Sequence, residues 1–272
     1  MTLFSKKFFK KHKNFSKRQI KPQNRSKVGI FVAIFGTILF CMTCFVASDL
    51  ISSVITHEGS IFIPSKIEIP ENMLYCVSIC DYETEDDAKI AAQVVQSKGG
   101  MGRVYCGGEF FVLVAGYPTL IEAQEVRDNL CQMGNNARIV NLKVPELTLG
   151  YHGKNKQEIE QILRFPRQVV IEIYNLILEY DDGNMPTGTL NANLVSLFQK
   201  SRQNEEKFSS LKPKLPEKSK NAILSCLNAI STTLNNCILS KPDTNAKTSA
   251  LKCAMFEISE QNSTLFSLLN EN

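Results

Sequence analysis

Residues 75 to 105 and 110 to 140 carry one pattern written twice at a 35-residue offset. Tyr82, Thr84, Ala88 and Gly99 return as Tyr117, Thr119, Ala123 and Gly134. Between them Val77 and Ile79 return as Val112 and Val114, Val95 as Leu130, and Arg103-Val104 as Arg138-Ile139. Each copy reads strand, helix, strand. Alternating apolar residues mark the strands, a Thr with acids behind it starts the helix, and a glycine ends it. Two such copies predict an α+β fold, a ferredoxin-like βαββαβ unit with an antiparallel four-stranded sheet and two helices on one face. The predicted strands are Leu74 to Cys80, Gly102 to Cys106, Phe110 to Ala115 and Ala137 to Leu142. The sheet side of the predicted core is Tyr75, Val77, Ile79, Val104, Val112, Val114 and Ile139. The helices are expected to meet it with Ala88, Ala91, Val94, Val95, Ala123, Val126 and Leu130.

Charge is distributed unevenly. Met1 to Lys27 holds ten Lys/Arg and no acid, which leaves 21 basic and 27 acidic residues on the rest of the chain. The 21 residues Val28 to Ser48 that follow carry no charge. At ~1.5 Å rise per residue they reach ~30 Å, the thickness of a bilayer's hydrocarbon core. Bases before this stretch, and none from Asp49 to Ser65, place the N-terminus in the cytoplasm and the remainder outside. A single-pass cell-membrane protein with extracytoplasmic domains is the expectation. Val46-Ala47-Ser48 leaves a cleaved signal peptide as the alternative, and the long basic arm argues for an anchor. The arm, with Phe4, Phe8, Phe9 and Phe15, reads as an orientation signal, with anionic lipid or nucleic acid as lesser alternatives; no nucleic acid is counted among the expected partners.

The expected organisation is a basic cytoplasmic arm over 1–27, a transmembrane helix over 28–48, a linker over 49–72, the repeat domain over 73–142 and a helical region over 153–272. Pro64 and Pro70 bracket an extended path in the linker. In the last region, apolar residues at helical spacing predict four helices, to about Tyr180, over 189–208, over 217–239 and over 246–269. Pro166 predicts a kink or break in the first. Each helix is expected to have one apolar stripe, which suits an antiparallel bundle.

Tyr75-Cys-Val-Ser-Ile-Cys-Asp-Tyr82 and Phe110-Phe-Val-Leu-Val-Ala-Gly-Tyr117, with Ala88, Gly99, Ala123, Leu130 and Gly134, resemble the SPOR (sporulation-related repeat) domain family over about 70 of 272 residues. The resemblance implies binding of peptidoglycan glycan strands stripped of stem peptides, in bacterial cell division, sporulation or wall remodelling. It implies that the glycan lies on the sheet face the two helices leave open. That face would show Cys76, Ser78 and Cys80, Arg103 and Tyr105, Phe111 and Leu113, and Arg138. The glycan-binding set is then Ser78, Asp81, Arg103, Tyr105, Phe111, Leu113 and Arg138. Family members commonly carry Gln at Ser78 and Ser at Asp81, so reach is lost at one position and a negative charge gained at the other. The competing expectation is an extracytoplasmic scaffold whose sheet and helices bind other proteins, including a partner for the C-terminal helices.

No catalytic residue, metal site or cofactor is expected. His57 and His152 stand at no catalytic spacing from Cys, Ser or acid, and HExxH, GxSxG and phosphate-loop motifs do not occur. Beyond Cys41 and Cys44 in the predicted span, seven cysteines match no zinc or redox spacing. Cys76 and Cys80 would lie ~13 Å apart along one strand, too far for a disulfide.

Overall fold

The computed structural model describes residues 66–271. The basic arm, the predicted membrane span and most of the predicted linker lie outside the described residues. Residues 66–271 form one compact α+β unit, with six helices and two antiparallel sheets among the described residues.

The strands are β1 (Lys66–Ile69), β2 (Asn72–Tyr82), β3 (Arg103–Cys106), β4 (Phe110–Tyr117), β5 (Ala137–Val144) and β6 (Leu147–Gly150); helix α1 (Glu85–Ser97) follows β2, and α2 (Leu120–Gln132) follows β4. The larger sheet has the order β3-β4-β2-β5, with every neighbour antiparallel. Two strand–helix–strand units interleave to make this order, each unit's strands separated by one strand of the other.

The repeat is visible in backbone detail. Thr84 and Thr119 both cap their helices, the side-chain oxygens accepting from the backbone N–H of Asp87 at 3.2 Å and of Glu122 at 3.4 Å. Gly99 and Gly134 end those helices at φ +82° and +83°, in the left-handed region where a Cβ is penalised. Around each glycine the chain closes the same bonds. Gly100 N–H donates to Val95 O, and Asn135 N–H to Leu130 O, the long hydrogen bond of a Schellman cap.

Two elements depart from expectation. Lys66–Ile69, inside the predicted linker, is extended as expected but is a strand of the fold. It pairs with Leu147–Gly150, from Lys66 opposite Gly150 to Ile69 opposite Leu147. Ile67, Ile69, Leu147 and Leu149 are buried, so alternating apolar residues with a partner strand to meet make an ordered ribbon of a segment too short to read as one. Helix α1 also turns differently from expectation. Val94 is exposed, and Ala92 joins Ala88 against Val112, because two alanines one turn apart let the helix sit close to the sheet.

The helical region consists of α3 (Lys156–Asp181), α4 (Thr187–Leu211), α5 (Glu217–Leu239) and α6 (Thr244–Asn270). They pack in a ring, α3 on α6, α6 on α5, α5 on α4 and α4 on α3. Helix α3 continues through Pro166 without a break. Helix α5 is long and apolar enough to cross a membrane by composition, yet its Ile223, Leu227, Ile230 and Leu234 are buried in the bundle core. Helix α6 does not have the single stripe expected of it. Its buried residues include Leu251, Met255, Phe256, Ile258, Leu265 and Phe266, because it packs on α3, α5 and the β-sheet at once. One hydrophobic core therefore runs from Cys76, Phe111 and Leu113 of the sheet, through the β1/β6 ribbon, into all four C-terminal helices.

Candidate functional site

The predicted site is the sheet face opposite α1 and α2, and its geometry follows from how β2 and β4 pair. Two irregularities interrupt that pairing, between Val77 and Ser78 and between Ile79 and Asp81. At the second, Cys80 takes φ +52°, a conformation uncommon for a residue with a Cβ, and its N–H donates to Asn136 O at 2.8 Å. Such a bulge shifts the alternation by one residue. Asp81, not Cys80, then stands opposite Phe111. Tyr82 is held above its ordinary pKa by burial and then by the Cys80 thiol beside it.

The expectation of an open face is corrected by the structure, because α6 lies across it. Ser78 and Leu113 have no exposed surface and Phe111 retains 5%. Ser78 donates to Arg138 O at 3.4 Å and has no access to a ligand. Arg103 is turned to α6, its guanidinium 3.3 Å from Glu257 Oε1 and 3.0 Å from Glu260 Oε2. It also stacks over Phe256, 4.7 Å from the ring centre. Tyr105 is wedged between Phe111 and Phe256, with ring centres 5.3 Å and 6.4 Å away. Polar contacts continue along the seam. The Cys253 thiol donates to Met101 O at 3.1 Å, Lys252 Nζ to Gly99 O at 2.9 Å, and Ser263 to Lys143 O at 2.8 Å. The reason is burial of apolar area at ~25 cal/mol per Å². A sheet face with Cys76, Phe111 and Leu113 at its centre is drawn to an apolar helix more strongly than to water.

Asp81 and Arg138 keep surface at one end of the predicted site, and Arg103 and Tyr105 stay half-buried beside α6 at the other. Arg138 binds Asp81 at 2.8 Å, approaches Glu109 at 3.9 Å, and lies over Phe111 at 4.1 Å from the ring centre. Asn136 donates to Asp81 at 3.3 Å. Of the seven predicted residues the structure thus gathers Asp81, Arg138 and Phe111 into one cluster and Arg103 and Tyr105 into another. Ser78 and Leu113 become core.

A second junction ties the bundle to the rim of the sheet. Tyr174 of α3 donates to Glu122 of α2 at 2.7 Å and meets Tyr117 edge-on at 6.3 Å. Burial raises the pKa of both tyrosines well above the usual phenol range, Asp181 and Glu122 adding to it at Tyr117, and Glu122 and Tyr117 at Tyr174. Asp181 accepts from Thr248 at 2.7 Å and Lys252 at 3.3 Å.

The thiols of the seam are protonated at neutral pH. Burial pushes Cys76 up to about 12. Burial and then the Glu257 carboxylate push Cys253 up to about 11, against a smaller downward pull from Arg103. Among the described residues no three His, Cys, Asp or Glu side chains stand close enough to hold a metal ion. Sequence reasoning missed the residues that occupy the face, namely Cys253, Phe256, Glu257, Glu260 and Ser263 of α6. The available signal was the breadth of apolar residues around α6, too wide for a helix that touches only its bundle neighbours. The chain matches no protein-family model, no curated protein and no solved structure.

Proposed function

We propose that this chain is a non-catalytic, membrane-anchored extracytoplasmic scaffold, in which a SPOR-like, ferredoxin-like sheet carries a helical bundle that binds other proteins. The observation behind this reading is that α6 covers the centre of the sheet face. Phe111, Leu113 and Ser78 are core residues, and Arg103 has its charge matched by two carboxylates of the same chain. A sugar would have to displace Phe256, Glu257 and Glu260 together, and with them an α6 that also packs on α3 and α5. The membrane anchor and outward orientation rest on the basic arm and the apolar stretch over 28–48. The test is co-sedimentation of the full chain with sacculi whose glycan has been stripped by amidase. The expected result is no pelleting above that of a control membrane protein.

Peptidoglycan binding in division, sporulation or wall remodelling is the second reading. It is favoured by the doubled motif and by the β3-β4-β2-β5 strand order. On that reading α6 leaves the sheet, or the sugar docks only at the Asp81–Arg138 end. Pelleting that Arg138→Ala abolishes would establish this reading and overturn the first.

A further inference from the structure

Lysines are spread unevenly over the described fold. Of the chain's 27 acids only Asp49 and Glu58 precede Lys66, so the chain from Lys66 onward carries 21 bases against 25 acids. Within that acidic body, residues 150–158 and 211–220 hold six lysines and two acids, Glu158 and Glu217. The fold brings both stretches to the end at which β1 begins. Lys66 stands opposite Gly150 across the β1/β6 ribbon. Lys154 follows four residues later, within ~14 Å of chain. Its neighbour Asn155 donates to the Leu211 backbone oxygen at 3.2 Å, which sets the start of α3 beside the end of α4 and the loop after it.

That loop is shaped to present its charges. Pro213 and Leu215 are buried while Lys212 and Lys214 are exposed, so alternate residues hold the loop to the core and leave the lysines in solvent. Lys212 takes φ +44°, in the left-handed region that glycine fills at less cost, so a lysine stands there against a backbone penalty. Lys218 is exposed in the first turn of α5. Lys220 pairs with Glu217 at 2.9 Å. Among the described residues Lys66, Lys154, Lys156, Lys212, Lys214 and Lys218 make no ion pair. With these seven lysines and two acids set apart, 14 bases and 23 acids remain on the rest of residues 66–272. The fold is polarised, positive where β1 begins and negative elsewhere.

We propose, on the membrane-anchored reading above, that this lysine end rests on anionic lipid headgroups of the membrane that holds the chain. Seventeen residues, Asp49 to Ser65, separate the predicted span from Lys66, a contour of at most ~60 Å. Such a tether keeps the lysines at high local concentration near the headgroups, so a contact too weak to hold a free protein suffices. Each lysine close to an anionic surface strengthens adsorption about fivefold. The acids on the rest of the fold are repelled, which selects one orientation. A lysine ammonium meets a lipid phosphate as a point charge and demands no fixed geometry, which suits side chains that are exposed and unpaired.

The test is amine acetylation of the full chain in nanodiscs, mapped by peptide mass, with phosphatidylcholine discs compared with discs that also contain phosphatidylglycerol. Lys154, Lys212, Lys214 and Lys218 are expected to react about threefold more slowly or less in the anionic discs. Lys98 and Lys241, exposed at the far end of the fold, are expected to be unchanged. Salt at about 1 M, where screening acts within about 3 Å, is expected to abolish the difference. Lys212→Glu, Lys214→Glu and Lys218→Glu together alter side chains that hold nothing else in the fold, and are expected to remove the protection of Lys154. Retention of the chain in vesicles through alkaline carbonate, with equal labelling in both kinds of disc, overturns this proposal alone. Release by carbonate overturns the anchored reading and this proposal with it. Protection in the neutral discs on adding inorganic phosphate assigns the lysines to free anions and also overturns it.

Discussion

Replacing Phe256 by Ala tests whether the sheet and the bundle are one folding unit. The ring is 1% exposed, stacks under the Arg103 guanidinium at 4.7 Å and meets Tyr105 edge-on at 6.4 Å. Truncating a core Phe to Ala costs about 3–5 kcal/mol, the transfer and cavity terms together. Arg103 keeps Glu257 and Glu260 after the ring is gone, so the lower part of that range, about 3–4 kcal/mol, is the expectation. With a urea slope of about 3 kcal/mol per molar, the unfolding midpoint moves down by roughly 1 M. The chain has no Trp, so unfolding of residues 64–272 is followed by far-ultraviolet circular dichroism for the helices and by tyrosine fluorescence. A shared core requires both signals to move together in a single transition. Phe256→Leu, which keeps most of the volume, is expected to cost less than about 1.5 kcal/mol. Two separate transitions, with only the helical one shifted by Phe256→Ala, would refute the shared core. So would a loss below about 1 kcal/mol, which would leave α6 no hold on the sheet.

Cysteine labelling reads the same seam without mutation. In the folded protein Cys106 and Cys131, which are exposed, are expected to react at once, and Cys76, Cys226 and Cys237, which are buried, about 100-fold slower or more. Fast labelling of Cys76 in the native protein, mapped by peptide mass, would mean that the sheet face is open. Alkaline pH is expected to destabilise the fold. Cys76 and Cys253 titrate at about 12 and about 11 when folded, above their ordinary range when unfolded. Between the two ranges the folded state holds protons that the unfolded state has released, so stability present below about pH 9 is lost as pH rises toward 11 to 12. A urea midpoint that stays flat from about pH 8 to about pH 11 would contradict this. At Gly134, φ is +83° and a Cβ added there would meet nothing within 4 Å. Gly134→Ala therefore meets only backbone strain and is expected to cost about 1–2 kcal/mol by thermal or urea unfolding.

The repeat domain was largely legible because its signals are local. A Thr that caps a helix, a glycine at positive φ that ends one, and alternation along a strand act over a few residues and need no partner elsewhere. The 35-residue offset then tied two copies into one strand order. Helix α5 was placed at its observed bounds for the same kind of reason, between Pro216 and the Lys241-Pro242 turn. The candidate site was less legible. A bulge at Cys80 moved Asp81 onto the face of Phe111 and Arg138, and no residue type in that stretch announces it. Local patterning is enough to establish that a doubled βαβ sheet precedes four helices. Only long-range packing puts α6 on the sheet and makes Lys66–Ile69 a strand. The cause is that apolar burial is non-directional. Cys76, Ser78, Phe111 and Leu113 present the same small mixed surface to a sugar, to water or to a helix. Which of these covers it depends on what else in the chain must hide its own apolar area, and here that is a helix with too much of it for the bundle alone.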